Sequence, residues 1–303
     1  MKNNISENNN FRCGFISIVG RPNVGKSTLV NTILKNNISI VTRKPQTTRN
    51  RILGIYTRLN YQAIFIDTPG IHINEKKVIN KMMNKTALNA IMDTDLNLFL
   101  CEANRWTKED EVALKQIKKS DAPSILLLNK IDLISPKERI LESIAKLSGK
   151  HKFKEIIPIC AKNRDSLNVL MDKIPFLLPD SPQLYETEML TDRSKPFMTS
   201  EKIREKLLMQ LNQEIPYGLS VEIEKFEEKN NAIEIAAVIW VERESQKGIV
   251  VGKNGNVLKK IGSSARIDLA NYFEKKVHLK LWVKVKENWA DSERDLRSMG
   301  FEI

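Results

Sequence analysis

Gly20-Arg21-Pro22-Asn23-Val24-Gly25-Lys26-Ser27, followed by Thr28, has the residue types of a phosphate cradle. It fits the spacing GxxxxGK[ST] and lies between an apolar strand-like run and a helical pattern, the context that spacing requires. The glycines let backbone N–H groups curl around a β-phosphate, and a helix starting there adds its dipole. Lys26 supplies a mobile cation for the β- and γ-phosphates, and the Ser27 hydroxyl a ligand for Mg²⁺. This loop alone does not separate GTP from ATP.

Asn129-Lys130-Ile131-Asp132 does separate them. An Asp carboxylate can accept two hydrogen bonds from guanine N1–H and its 2-amino group, whereas adenine leaves that carboxylate unpaired. Asn129 is expected to tie this loop to the phosphate cradle, and the Lys130 stem to cover the base. Asp67-Thr68-Pro69-Gly70 offers a carboxylate near Mg²⁺ and a Gly whose N–H can meet the γ-phosphate. Cys160-Ala161-Lys162 is expected to turn a backbone N–H toward guanine O6. Each short motif is weak alone. Four of them, in this order and each at the end of an expected strand, make a strong signal.

These motifs resemble those of the translational-factor-type GTPases, in the branch that carries GRPNVGKS and a paired-threonine switch. Gln46-Thr47-Thr48-Arg49 matches that switch. The resemblance implies that one threonine, with Thr48 preferred, completes the Mg²⁺ shell beside Ser27 and Asp67, and that Lys26, Thr48 and Gly70 act in hydrolysis. Two departures from Ras-like proteins stand out. Ile71 occupies the place of a water-orienting Gln, and Pro22 the P-loop slot where bulk obstructs an inserted arginine finger. Both imply slow intrinsic turnover. GTPases of this branch often use K⁺, held by the P-loop Asn, here Asn23. Cys160 replaces the more usual Ser, at little expected loss because a backbone N–H reads the base.

The elements that must position these residues are legible as apolar runs. Phe15–Val19, Ala63–Ile66, Leu96–Leu100, Ser124–Leu128 and Ile156–Ile159 read as strands, and Ser27–Lys35, Lys108–Lys119 and Pro136–Leu147 as helices. Such alternation predicts an α/β P-loop domain with a mostly parallel sheet and helices on both faces. Ile52–Leu59 and Tyr61–Ile66, joined at Asn60, predict a hairpin with one antiparallel strand. Pro175, Pro179 and Pro182 then break the pattern. The expected division is a disordered tail over residues 1–10, a GTPase domain over 11–178, a linker over 179–198 and a second domain over 199–303.

That second domain reads helix, strand, strand, helix, helix, strand. Its helical stripe is Ile203, Leu207, Leu208 and Leu211, ended by Pro216; its strands are Leu219–Phe226, Ala232–Val241 and Val277–Val285. Ile249-Val-Val-Gly252-Lys253-Asn254-Gly255-Asn-Val-Leu258-Lys259-Lys260-Ile261 matches the GxxG core of a KH domain, here in an α+β type II order. The glycines let a nucleic-acid backbone approach the amides, and Lys253, Lys259 and Lys260 supply counter-charge. An acidic side chain at Gly252 is expected to abolish RNA binding.

The pairing of a GRPNVGKS domain with a KH domain resembles the bacterial ribosome-assembly GTPases. The likeness runs from Cys13 to Ile303, including Thr191-Asp-Arg193, Glu214-Ile-Pro-Tyr217 and Leu281–Trp289. It weakens at Cys101-Glu102 and Asn163–Asn168, neither of which is expected to touch nucleotide. It implies binding of the 3′ end of 16S ribosomal RNA, action in 30S subunit assembly, a monomer, and peripheral contact with the cytoplasmic face of the inner membrane.

Composition agrees. The 303 residues are 41% hydrophobic and 28% charged, enough for two domains with real cores. No apolar run approaches the roughly 20 residues of a membrane span. Three scattered cysteines suggest neither a disulfide framework nor a zinc cluster, and point to a reducing cytoplasm. The net charge of +12 falls on residues 1–180, with 29 Lys and Arg against 17 Asp and Glu; residues 181–303 carry 20 of each. Within the latter, Arg243–Lys286 holds 11 basic and 3 acidic residues, a footprint suited to a phosphate backbone.

Overall fold

A computed structural model of the protein describes residues 11–42, 44, 47–71, 77–211 and 218–301. The expected tail Met1–Asn10, Gln46, and the segment Glu214–Tyr217 with Pro216 lie outside the described residues. The chain forms two compact units that do not follow sequence order. The first is Met1–Asn37, Ile52–Thr68 and Leu88–Asp192; the second is Ile38–Arg51, Pro69–Ala87 and Arg193–Ile303.

The first unit is built on strands β1 (Arg12–Val19), β2 (Ile52–Arg58), β3 (Tyr61–Asp67), β4 (Leu96–Glu102), β5 (Ser124–Asn129) and β6 (Glu155–Pro158). Their order is β2-β3-β1-β4-β5-β6, and only β2 runs antiparallel to its neighbour. Apolar runs such as Leu96–Cys101 are buried along their length, as strands covered on both faces must be. Parallel pairing sets Ile18 beside Asp67 and Glu102 beside Asn129, so the strands' carboxyl ends share one edge. That edge is where open α/β sheets bind ligands. Helices α1 (Lys26–Leu34), α3 (Lys108–Ile117), α4 (Glu138–Ser148) and α5 (Asn168–Leu177) belong to this unit; α2 (Val78–Met92) starts in the second unit and ends in the first.

Two expectations need correcting here. Pro175 lies inside α5, which the buried side chains of Leu170 and Ile174 anchor and which ends two residues later. Residues 179–192, expected as linker, are fastened to the first unit's sheet. Cys13 N–H donates to the Pro179 carbonyl at 3.2 Å, and Ile55 N–H to the Leu190 carbonyl at 2.9 Å. Tyr185 and Met189 pack on a cluster holding Leu53, Ile64 and Ile66. The prolines end regular structure, but the backbone still finds partners on the sheet.

The second unit contains α6 (Lys195–Gln210), β7 (Leu219–Glu228), β8 (Ala232–Val241), α7 (Glu244–Val251), α8 (Asn256–Phe273), β9 (Lys276–Val285) and α9 (Glu293–Ser298). The first six have the expected order; α2, α5 and α9 carry no stripe that singled them out. Helix α6 starts inside the expected linker, because Ser194 caps it by accepting Phe197 N–H at 3.3 Å and Pro196 suits its first turn. It ends at Gln210, ahead of Pro216. In the sheet, β8 pairs antiparallel with β7 and parallel with β9. Ile203, Leu207, Ile235, Ile239, Ile261 and Leu269 are the heart of its core.

Candidate nucleotide and RNA sites

The phosphate cradle spans the step from β1 to α1 in the first unit. A Cβ on Gly20 would sit 2.3 Å from the Leu100 carbonyl oxygen, so no larger residue fits there. Gly25 has φ of 108°, and a Cβ on it would meet Asn129 Nδ2 at 2.5 Å. Lys26 is buried, its Nζ donating to the Gly20 carbonyl at 3.0 Å and the Arg21 carbonyl at 3.1 Å. Burial pushes its pKa down to about 8, against the pull of Asp67 and with a further push from Arg21. Phosphate oxygens would replace those carbonyls and favour the charged form.

Asn129, the last residue of β5, joins two loops. Its Nδ2 donates to the Val24 carbonyl at 2.7 Å, and its Oδ1 accepts Ala161 N–H at 2.8 Å. Cys160 N–H goes to Ser166 Oγ at 2.7 Å, so both the Cys160 and Ala161 amides have partners within the protein. Asp132 stands exposed on the single turn Ile131–Leu133, open to a base. Lys130 donates from Nζ to the Asn23 carbonyl at 3.0 Å. Thr68 Oγ1 donates to the Ile18 carbonyl at 3.1 Å, pinning the start of its loop to β1.

Sequence reasoning missed Glu102. It ends β4, and its carboxylate receives Arg21 Nη2 at 2.5 Å on one oxygen and Lys130 Nζ on the other. Burial opposes its charge, but Lys130 and Arg21 together hold its pKa below the usual carboxylate range. Arg21 Nε also donates to Asp110 Oδ2 at 3.2 Å; Asp110 is the buried partner of Thr107 in the capping box of α3. The cradle and the base loop thus share one acid. Its place at the end of an apolar strand was the available signal.

Pro69, Gly70, Thr48 and Arg49 belong to the second unit. There the segment 38–51 is held by buried arginines. Arg49 Nη1 donates to the Leu219 carbonyl, and Arg204 Nη2 to the Thr47 carbonyl. Arg204 is gripped by Glu201 through contacts of 2.8 and 2.7 Å. Val41 N–H donates to Glu205 Oε1 at 3.2 Å. Burial lowers the Arg49 pKa to about 9, helped by repulsion from Arg204 and opposed by Glu201 and Glu242. The segment 69–87 is anchored by Ile79, Met82 and Met83, which pack with Trp289, Leu296 and Phe301.

The same unit presents the Gly252–Gly255 turn between α7 and α8. Gly252, Asn254 and Gly255 have φ of 72°, 53° and 74°. A Cβ on Gly252 would lie 2.3 Å from Val257 Cγ2, whereas Gly255 faces open space. An acidic residue at Gly252 would therefore disturb folding before it disturbed RNA, a correction to the expected effect. Lys253, Asn254, Lys259 and Lys260 are exposed, and none of these lysines makes an ion pair among the described residues.

The chemistry of the donor set fits a magnesium-bound nucleotide. Ser27 lies in the first turn of α1 and Asp67 closes β3, and both offer the hard oxygen that Mg²⁺ takes. The profile of the 50S ribosome-binding GTPase family matches residues 15–130, and that of the KH domain matches residues 214–290. The GTPase Era of Glaesserella parasuis is 50% identical over 290 residues, covering 95% of this chain and 97% of the relative. The chain belongs to the Era family of GTPases. Era of Coxiella burnetii is 48% identical over 96% of this chain. An Era solved in complex with MgGDPNP and nucleotides 1506–1542 of 16S ribosomal RNA matches with a TM-score of 0.93 and 36% identity, covering 97% of this chain and 100% of that one. A variant of Aquifex aeolicus Era bound to GDP·AlF₄⁻ matches equally well.

Proposed function

We propose that this protein is a GTP-hydrolysing switch whose nucleotide state controls how the Gly252–Gly255 turn holds the 3′ end of 16S ribosomal RNA, in 30S subunit assembly and 16S rRNA maturation. One observation carries the proposal. The segments expected to sense a γ-phosphate, residues 38–51 with Thr48 and 69–87 with Gly70, belong to the same compact unit as α7, the turn and α8. A ligand that recruits Thr48 and Gly70 therefore acts directly on the body that presents the turn. GTP with Mg²⁺ is such a ligand, and GDP lacks the phosphate that would reach them. The solved Era complexes with MgGDPNP and 16S nucleotides, and with GDP·AlF₄⁻, support both halves of this reading.

In this assignment the P-loop residues, Asn129, Asp132 and the Lys162 amide bind the nucleotide. Ser27, Thr48 and Asp67 hold Mg²⁺, and Lys26, Thr48 and Gly70 stabilise the hydrolytic transition state. Asn23 is assigned to K⁺; equal turnover in K⁺ and Na⁺ would remove that role. Peripheral membrane contact and a monomeric state rest on family resemblance, and cosedimentation with vesicles and light scattering check them. No helix among the described residues is long and apolar enough to cross a membrane.

Replacing Lys253→Asp and Asn254→Asp together tests the RNA half. Both residues are exposed, both glycines stay in place, and Asp tolerates the left-handed backbone of Asn254. Binding to a 16S 3′-end oligonucleotide should fall by about 100-fold or more, since one cation is lost and two anions face the backbone. GTP affinity should be unchanged. RNA binding at the original strength would overturn the assignment.

A further inference from the structure

The net charge of the chain takes a different distribution when it is counted by structural unit. Of 49 Lys and Arg and 37 Asp and Glu, the first unit holds 21 and 19, and the second 28 and 18. The excess that the linear sequence assigns to the GTPase half lies largely in the segments 38–51 and 69–87, which fold with the C-terminal body. Segment 38–51 has four basic residues and no acid; segment 69–87 has four basic residues and one acid.

Most of the first segment's described cations are already engaged: Arg49 with the Leu219 carbonyl, and Lys44 with the Leu211 carbonyl. On α2 the situation is the reverse. Lys77, the residue just before α2, and Lys81 and Lys85 within it recur every fourth residue and continue one helix face. Lys81 and Lys85 are exposed and make no ion pair among the described residues, and Lys77 reaches Glu242 only at 3.7 Å. The opposite face, Ile79, Met82 and Met83, is buried against Trp289, Leu296 and Phe301, so this packing fixes the ridge outward.

Helix stability does not explain the ridge. A solvated helix face mixes signs, with acids one turn from the lysines. The span Val78–Met92 contains no acid until Asp93, just past its end. The first turn carries no acid either, and lysines there oppose the helix dipole. Lys81 and Lys85, which break these local rules and have no ion-pair partner among the described residues, are arranged for an external anion. Its one-turn spacing, about 6 Å, suits a strand of successive phosphates better than a single small anion.

We infer that Lys81 and Lys85 of α2, with Lys77 just before it, form a second RNA contact, one that grips the phosphate backbone without reading sequence. This rests on the proposed function only in taking RNA as the partner; it needs nothing from the Gly252–Gly255 turn. A protein with an acidic surface is the competing occupant. RNA is favoured because the same unit carries the unpaired lysines Lys253, Lys259 and Lys260 beside that turn.

The test is the salt dependence of binding, measured on the full chain loaded with a GTP analogue. The variants are Lys81→Ala with Lys85→Ala, and separately Lys253→Asp with Asn254→Asp. The probes are a 16S 3′-end oligonucleotide and a scrambled RNA of equal length. Removing the two α2 lysines should lower affinity for both RNAs by a similar factor, about 5- to 20-fold at moderate salt. The slope of log affinity against log salt should shrink by about 1.4, at 0.7 per lost single-strand contact. GTP affinity and melting temperature should stay at the parent values. A parent-like slope and affinity for both RNAs would overturn the inference, and so would a loss confined to the 3′-end sequence. If the α2 variant behaves as expected and the turn variant binds normally, the ridge stands and the assignment of the turn falls. If only the turn variant loses RNA, the ridge falls and the proposed function stands.

Discussion

The two units present their functional residues in opposite ways. In the first, recognition is assigned mainly to backbone groups and to short motifs set at the carboxyl ends of parallel strands. Ile18 beside Asp67 and Glu102 beside Asn129 show how strand register alone gathers them. In the second, the working parts come from three separate stretches of chain. Side chains reaching distant carbonyls, Arg49 to Leu219 and Arg204 to Thr47, join 38–51 to the C-terminal stretch, and the packing of Ile79, Met82 and Met83 on Trp289 joins 69–87 to it. The first unit is a site made by topology. The second is a coupling made by packing, and its domain membership is invisible along the sequence.

The largest expected effect separates the two at once. Asp132→Asn should weaken GTP binding by about 100-fold or more and erase discrimination against ATP, because the carboxylate that pairs with guanine is gone. RNA affinity of the nucleotide-free protein should not move. A GTP–ATP competition assay reads this, and retained guanine preference would displace Asp132 from its role.

Arg204→Ala probes the second unit. Its side chain is 4% exposed and that of Glu201 13%, so removal strands a largely buried carboxylate. The unit should lose about 3 kcal/mol of stability, seen as an earlier transition in denaturant. A double-mutant cycle with Glu201→Ala should recover a substantial share; strict additivity would show that the pair does not hold the segment.

Gly252→Ala should cost about 2 kcal/mol, from the collision with Val257 added to a strained φ. Gly255→Ala should cost about 1 kcal/mol, from conformation alone. Equal losses would mean that Val257 yields freely.

The smallest effect concerns Lys26. Its pKa in the free protein is lowered to about 8, and phosphate binding raises it. The complex therefore holds a proton that half of the free protein has lost near pH 8. Affinity for GTP is full well below that pH and falls as pH rises through it, by at most about tenfold per pH unit. Calorimetry at pH 9 in buffers of different ionisation heat should show proton uptake on binding. Proton release would contradict the assigned environment.

Much of this was legible beforehand, for physical reasons. The strands are near-continuous apolar runs, and the phosphate cradle and the Gly252–Gly255 turn require glycine for steric reasons that the Leu100 carbonyl and Val257 make concrete. Glu102 escaped notice because a lone acid at a strand end has no motif; its role comes from two cations brought from other loops. Helix α2 escaped because its buried stripe is Ile79, Met82 and Met83 amid Asn and Lys, and its partners lie about 200 residues away. Residues 179–192 were misjudged since prolines announce the end of regular structure, not the end of contact with the sheet.

The central claim is that the nucleotide acts on RNA binding through segments that fold with the RNA-binding unit. Its most direct measurement is the affinity of the intact protein for the 16S 3′-end oligonucleotide with a non-hydrolysable GTP analogue or with GDP bound. The account predicts binding at least about tenfold tighter with the analogue, a coupling within the usual range. It further predicts that Arg204→Ala, by loosening the 38–51 segment, reduces that ratio toward one. Equal affinities in the two nucleotide states of the parent protein would contradict it.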